Sequence, residues 1–214
     1  EECKESNVNA INKGFCNLEK HIENIQKFGL QPVVCINAFP SDKQEEYDVL
    51  IELCAEKGVK AVVSTAFADG GKGAEKLAQA IVEQVATASA NYQPLYLNTA
   101  SIESKIETIA TTIYGADEVV YSALANKQLQ SIKELGFEHF SICMVKTPAS
   151  FSDDEKMIGR PTGFTVTVRE FEFASGAGFI IPLLGDVMRM PGLPKLPNAT
   201  RIDIDDNGVI SGLS

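Results

Sequence analysis

Pro32-Val33-Val34-Cys35-Ile36-Asn37-Ala38-Phe39-Pro40-Ser41-Asp42 begins as an apolar run and ends as a polar turn. Apolar residues in unbroken succession read as a short strand buried on both faces. Helical spacing lies on either side. Upstream, residues 17–28 put Leu18, Ile22, Ile25 and Phe28 on one helical face, with Asn17 as the cap and Gly29 as the stop. Downstream, residues 42–57 return to helical spacing and end at Gly58. A second buried strand follows at Ala61-Val62-Val63-Ser64-Thr65, then a helix from Gly73 to about Thr87 in which Leu77, Ile81 and Val85 recur every fourth residue. Pro94 to Leu97 reads as a third strand. Residues 101–113 and 122–134 read as helices capped by Ser101 and Ser122. Strand and helix in alternation predict right-handed βαβ units on a parallel sheet. Ligands of such sheets sit beyond the carboxyl ends of the strands, which directs attention to loops 37–42 and 64–72.

The texture changes near residue 138. Ser141 to Val145 reads as a strand, 148–163 as a long Pro/Ser/Asp/Gly loop, and Phe164 to Phe173 as a half-buried strand of period two. Phe179 to Leu184 is another strand, and Arg201 to Ile204 begins a last hairpin. The expected class is α/β: a parallel-sheet βαβ subdomain over 1–137, then a smaller β-rich α+β subdomain over 138–214.

Composition narrows the function. The 214 residues include 44% hydrophobic residues, enough for a sizeable core, and the net charge is −10. So acidic a chain is not expected to partner nucleic acid or an anionic membrane. Five cysteines without a C-x-x-C pair, and only two histidines, argue against a zinc site or a disulfide framework, so no metal site is expected. Cys35 and Cys143 lie in apolar runs and read as buried small hydrophobes. The pattern suits a reducing cytoplasm. No apolar run reaches the roughly 18 residues of a membrane span, and no signal-peptide pattern opens the chain. The opening Glu1-Glu2-Cys3-Lys4 lacks an initiator methionine, and the chain reads as a piece of a longer protein.

Each motif carries two readings. In Asn37-Ala38-Phe39-Pro40-Ser41-Asp42, Asn and Asp can read an amide-bearing heterocycle while Phe39 offers a stacking face. Equally, Asp42 can cap the next helix, with Asn37 and Pro40 as turn residues. Ala66-Phe67-Ala68-Asp69-Gly70-Gly71-Lys72-Gly73 departs from the phosphate-loop pattern G-x-x-x-x-G-K-[S/T] in spacing and hydroxyl. Phe67 can close a sandwich with Phe39 around a planar ligand, or either ring can fill the core. Gly176-Ala177-Gly178 lies between strands and reads as a bulge or close approach. Asp203 to Gly208 opens like a calcium loop, but Ser214 stands where a bidentate Glu is required, so a turn at Asn207-Gly208 is the reading. Lys146 either supplies one positive charge to a site or is solvated. No Ser/His/Asp or Cys/His pairing emerges, and the catalytic residues are unknown. Met190-Pro191-Gly192-Leu193-Pro194 is too apolar and rigid for a solvated turn and is either structural or pocket-lining.

Several of these pieces, in this order, resemble formate–tetrahydrofolate ligase. They are Asn17-Leu-Glu-Lys-His-Ile-Glu-Asn, Val33-Val-Cys-Ile-Asn-Ala-Phe-Pro-Ser-Asp, Gly70-Gly-Lys-Gly-Ala with Leu77-Ala78, and Ile106 to Ala116. Ile142-Cys-Met-Val-Lys-Thr147, Gly176-Ala-Gly-Phe-Ile-Ile-Pro-Leu and Met190-Pro-Gly-Leu-Pro194 complete the set. The chain looks like the C-terminal portion of such an enzyme. The resemblance implies ATP-dependent joining of formate to tetrahydrofolate through formyl phosphate. The ATP-binding P-loop belongs to the family's N-terminal part, so this chain alone is expected to be inactive. It also implies a pterin stacked between Phe39 and Phe67, with Asn37, Asp42, Gly70 and Gly71 around it and nucleotide contacts at Gly192, Leu193 and Pro194. Magnesium with ATP, a monovalent cation and a homo-oligomer go with the full-length enzyme. Two residues depart from the family pattern: Phe67 stands where the family has tryptophan, and Lys43 where threonine is usual. The other readings are a folate- or nucleotide-binding α/β module without catalysis, and an assembly domain in which both rings are core.

Overall fold

The computed structural model describes residues 5–87, 91–187 and 195–212. It begins with α1 (Val8–Gln26), capped by the Asn7 side chain, which accepts from Ala10 N–H at 3.0 Å. The helix is therefore capped ten residues before the predicted cap. Ile11 and Phe15 extend the apolar face of Leu18 and Ile22 upstream, so Asn17 falls inside the helix, where its amide donates to Gly159 O at 3.0 Å. Then come β1 (Val33–Asn37), α2 (Gln44–Glu56) and β2 (Lys60–Ser64). β1 and β2 pair in parallel, Val33 opposite Lys60 through Asn37 opposite Ser64. A short helix α3 (Ala66–Asp69) and a 3-10 turn (Gly70–Ala74) lead into α4 (Glu75–Thr87), where a loop and a helix beginning at Gly73 were expected.

The predicted third strand at 94–97 does not form. The backbone of 91–93 is instead drawn to the end of α1: Gln93 N–H donates to Phe28 O at 3.0 Å and Asn91 N–H to Gly29 O at 3.4 Å. Gly29 has φ +73°, and a Cβ there would lie 1.9 Å from Asn91 O, so only glycine fits. Among the described residues the sheet of β1 and β2 is two-stranded, and Cys35, opposite in face to the inward Val34, is exposed rather than buried. Cys143 is also exposed: its N–H donates to Ile180 O at 2.9 Å, but it follows the buried Ile142 and its side chain takes the opposite face.

The larger sheet uses β3 (Glu118–Tyr121), β4 (Ser141–Ile142), β5 (Thr165–Ala174) and β6 (Phe179–Leu184) in the order β3-β5-β6-β4. Only β5 and β6 are antiparallel; β3 runs parallel to β5 and β4 parallel to β6. The sheet thus draws strands from both sides of residue 138. The strand β3, which the sequence reading passed over, is four residues long. In β5 the period of two is broken by a bulge at Val168/Glu170, so the buried side moves from Val166 and Val168 to Phe171. Helices α5 (Ile102–Ile109) and α6 (Ala123–Glu134), capped by Ser101 and Ser122 as predicted, supply Ile102, Ile106 and Ile132 to the core over Val166, Val168, Ile180 and Leu184. A π-turn (Ala110–Tyr114) closes α5. The last hairpin pairs β7 (Asp203–Ile204) with β8 (Ile210–Ser211). Its Asp205 carboxylate accepts Asn207 N–H at 2.9 Å and Val209 N–H at 2.8 Å, an Asx turn rather than a calcium ligand set. Among the described residues no helix is long and apolar enough to cross a membrane.

Candidate functional site

The loop after β1 is fastened at both ends. Ala38 N–H donates to Ser64 O at 2.9 Å, which ties the loop to β2 and buries Ala38. Phe39 N–H donates to Asp42 Oδ2 at 2.9 Å, and Asp42 N–H donates to Phe39 O at 3.0 Å. Tyr47 Oη also donates to Asp42 Oδ2, at 3.2 Å. Partial burial, aided by this carboxylate, raises the Tyr47 phenol pKa, so it stays a donor. Asp42 therefore does not cap α2: that helix starts after Lys43, whose N–H donates to Glu46 Oε2 at 3.4 Å. Asp42 commits one oxygen to its own loop and leaves Oδ1 for an incoming N–H.

The loop after β2 is held the same way. Thr65 Oγ1 donates to Asp69 Oδ2 at 2.6 Å, and Ala68 and Asp69 N–H donate to Thr65 O. This one turn, α3, carries Phe67. Gly70 ends it at φ +58°, ψ −143°, a conformation essentially restricted to glycine. Gly71 has open space where a Cβ would stand, whereas a Cβ on Gly73 would lie 2.5 Å from Thr65 C. Thr65 N–H reaches Gly73 O at 3.1 Å, so the glycine permits the close approach that anchors α4 to β2. The 3-10 turn leads to Glu75 at the start of α4, which does not favour an anion there.

Phe39 and Phe67 meet at the carboxyl ends of β1 and β2. Their ring centroids are 4.8 Å apart with planes at 59°. Neither is core: Phe39 is 43% exposed and Phe67 67%. A flat ligand between two ring faces requires roughly 7 Å between them, two van der Waals contacts. The rings therefore have to part and turn by a few ångströms to admit one. Asn37, at the end of β1, is exposed on the same side of the fold. Gly192, Leu193 and Pro194 lie outside the described residues.

A cleft of about 960 Å³ opens elsewhere, between α1 and the segments 109–114 and 141–151. It takes in Asn17, His21, Asn24 and Lys146. Its polar lining comes from distant parts of the chain, and no spacing in the sequence announces it. His21 leans on Phe151, with ring centroids 4.7 Å apart. Though His21 is exposed overall, partial desolvation of the ring, helped by the Lys146 and Lys20 charges, lowers its pKa. Tyr114 lies deeper, its phenol pushed up to about 12 chiefly by burial. Lys20 and Asn24 clamp α1 to the π-turn, donating to Thr112 O at 2.9 Å and Ile113 O at 3.0 Å. Arg160 ties the long loop to Glu19 and Glu23 of α1.

The fold is thus a mixed α/β one, with its sequence-marked loops at the carboxyl ends of a parallel strand pair. The family model described as formate–tetrahydrofolate ligase matches residues 1–214, and the chain belongs to that family. Its full-length members join formate to tetrahydrofolate with ATP.

Proposed function

We propose that this chain is the tetrahydrofolate-recognising portion of a formate–tetrahydrofolate ligase, and that Phe39 and Phe67 receive the pterin between them. The observation that carries this is the meeting of two exposed rings at the ends of adjacent parallel strands. Asp42 Oδ1 accepts N–H groups of the heterocycle, with Asn37 beside it and the Gly70-Gly71 backbone giving Phe67 its position. The loop bonds preorganise Asp42 and lower the ordering cost of binding.

The chain by itself is proposed not to turn over, because its 214 residues contain no G-x-x-x-x-G-K-[S/T] segment for ATP. Gly192, Leu193 and Pro194 are proposed to touch the nucleotide once an ATP-binding part is present. Magnesium is proposed to enter with ATP in the full-length enzyme, and a monovalent cation to go with the same assembly. A cytoplasmic setting fits the reduced thiols. Homo-oligomer formation is supported by the exposed stripe of Ile81, Val82 and Val85 on α4.

Anaerobic calorimetry with tetrahydrofolate tests the reading. Phe39→Ala is expected to weaken binding at least tenfold, about 1.4 kcal/mol. Undiminished binding in that variant removes the pterin from these loops. ATP-dependent formylation by the chain alone refutes the proposed dependence on a separate ATP-binding part.

A further inference from the structure

We propose that the cleft between α1 and the segments 109–114 and 141–151 is a second binding site, for a planar aromatic molecule carrying one anionic group and one N–H donor. Phe39 and Phe67 are not on its lining, so the site is distinct from the pterin position proposed above. Its volume of about 960 Å³ lies at the upper end of the range for small-molecule sites. The walls are largely apolar. At one end Phe28 and Tyr92 stack with planes 2° from parallel and centroids 6.1 Å apart, presenting flat faces.

Two polar groups in the cleft are incompletely used. Asn24 is only 8% exposed. Its amide nitrogen donates to Ile113 O, while Oδ1 is buried and accepts from nothing among the described residues. Buried carbonyl oxygens are rarely left so, and since this one has no surface of its own open to the cleft, a ligand N–H completes it through a small movement of the α1 wall. Lys146 is the second. Its ammonium donates to Thr147 O at 2.9 Å and to Ser150 O, and lies 5.1 Å from the centroid of the Tyr114 ring. An ammonium has three N–H groups, so one donor remains. No carboxylate among the described residues comes within ion-pair distance of it. Asp153, the acid that influences it, uses Oδ2 to accept Thr167 N–H at 2.8 Å. Burial lowers the Lys146 pKa, as expected of a charge without a counter-ion. Asn24 touches Ile113 and Lys146 lies over Tyr114, so both groups address the same turn, and one small ligand can reach both. Lys20 turns its own ammonium to Thr112 O and is not on the lining, which limits the match to a single anion.

Calorimetry with indole-3-acetate, its neutral amide and 1-methylindole-3-acetate separates the anionic group from the N–H donor. The acid is expected to bind at least tenfold more tightly than the amide and several-fold more tightly than the N-methyl acid. The acid's advantage over the amide is expected to vanish in Lys146→Met, to persist in Lys146→Arg, and to be unaffected by Phe39→Ala. Equal binding of acid and amide, absence of binding by the acid, or an advantage that survives Lys146→Met overturns the proposal. Should Lys146→Met not fold, the wild-type acid-to-amide ratio and its loss at high salt decide the matter. Loss of binding in Phe39→Ala assigns the probe to the other loops and likewise overturns it.

Discussion

Among single residues, His21 shows how position changes chemistry. His21 is largely exposed, but the partial loss of water from its ring, with Lys146 and Lys20 nearby, holds its pKa below the ordinary 6.5. The unfolded chain takes up a proton near that value, the folded chain only at lower pH. Below about pH 6.5 the unfolded state therefore binds more protons, and stability falls as the pH falls; above it His21 contributes no slope. His21→Phe keeps a ring against Phe151 and is expected to flatten this part of the profile. Urea midpoints at about pH 7.5 and 5.5, on either side of the ordinary value, measure it. An unchanged slope in the variant assigns the dependence elsewhere. Sequence spacing placed His21 correctly on a helix but could not indicate its neighbours, because Lys146 is brought to it only by folding. The loop positions of Phe39 and Phe67 were easier to read, since each follows a short apolar run that reads as a strand and forms one. The expected burial of Cys35 failed because an apolar run announces a strand without telling whether another layer covers it.

Among the elements, the join between β2 and α4 depends on Gly73. A Cβ there would meet Thr65 backbone at 2.5 Å, which a rotamer change cannot relieve. Gly73→Ala is expected to destabilise the chain by about 1–3 kcal/mol, the cost of overpacking a tight site. Thermal unfolding monitored by circular dichroism checks this, with Gly71→Ala, which meets open space, as the near-neutral comparison. Equal losses in the two variants would mean that the close approach is not what matters. Most elements were legible: both cap serines, the strands β1, β2, β5 and β6, and the final hairpin follow from apolar period and turn residues. The exceptions share a cause. Residues 94–97 have strand composition but are held to α1 through 91–93, and β3 is too short to display a period. Both depend on which neighbour is available, a tertiary fact that local sequence does not carry.

For the molecule as a whole, the exposed apolar stripe on α4 matters most. Ile81, Val82 and Val85 are 47%, 68% and 77% exposed, one helical face of apolar side chains. Val82→Glu is expected to shift sedimentation toward a monomer while leaving the unfolding free energy within about 0.5 kcal/mol of wild type, as at an exposed position. A wild type that is monomeric at every concentration reached removes assembly from the proposal. The candidate site divides similarly. Its aromatic loops were visible in the sequence because each is local, whereas the cleft is assembled from α1, the π-turn and the 141–151 segment and became visible only in three dimensions. The order of the larger sheet also bears on how the chain is made. β3 pairs with β5 and β4 with β6, and among the described residues neither has another neighbour. During synthesis, α5, α6, β3 and β4 leave the ribosome before the hairpin that joins them exists. Ile102, Ile106 and Ile132 then wait without their sheet, so a pause or truncation ahead of Thr165 exposes a sticky nascent chain, and chaperone demand should peak there.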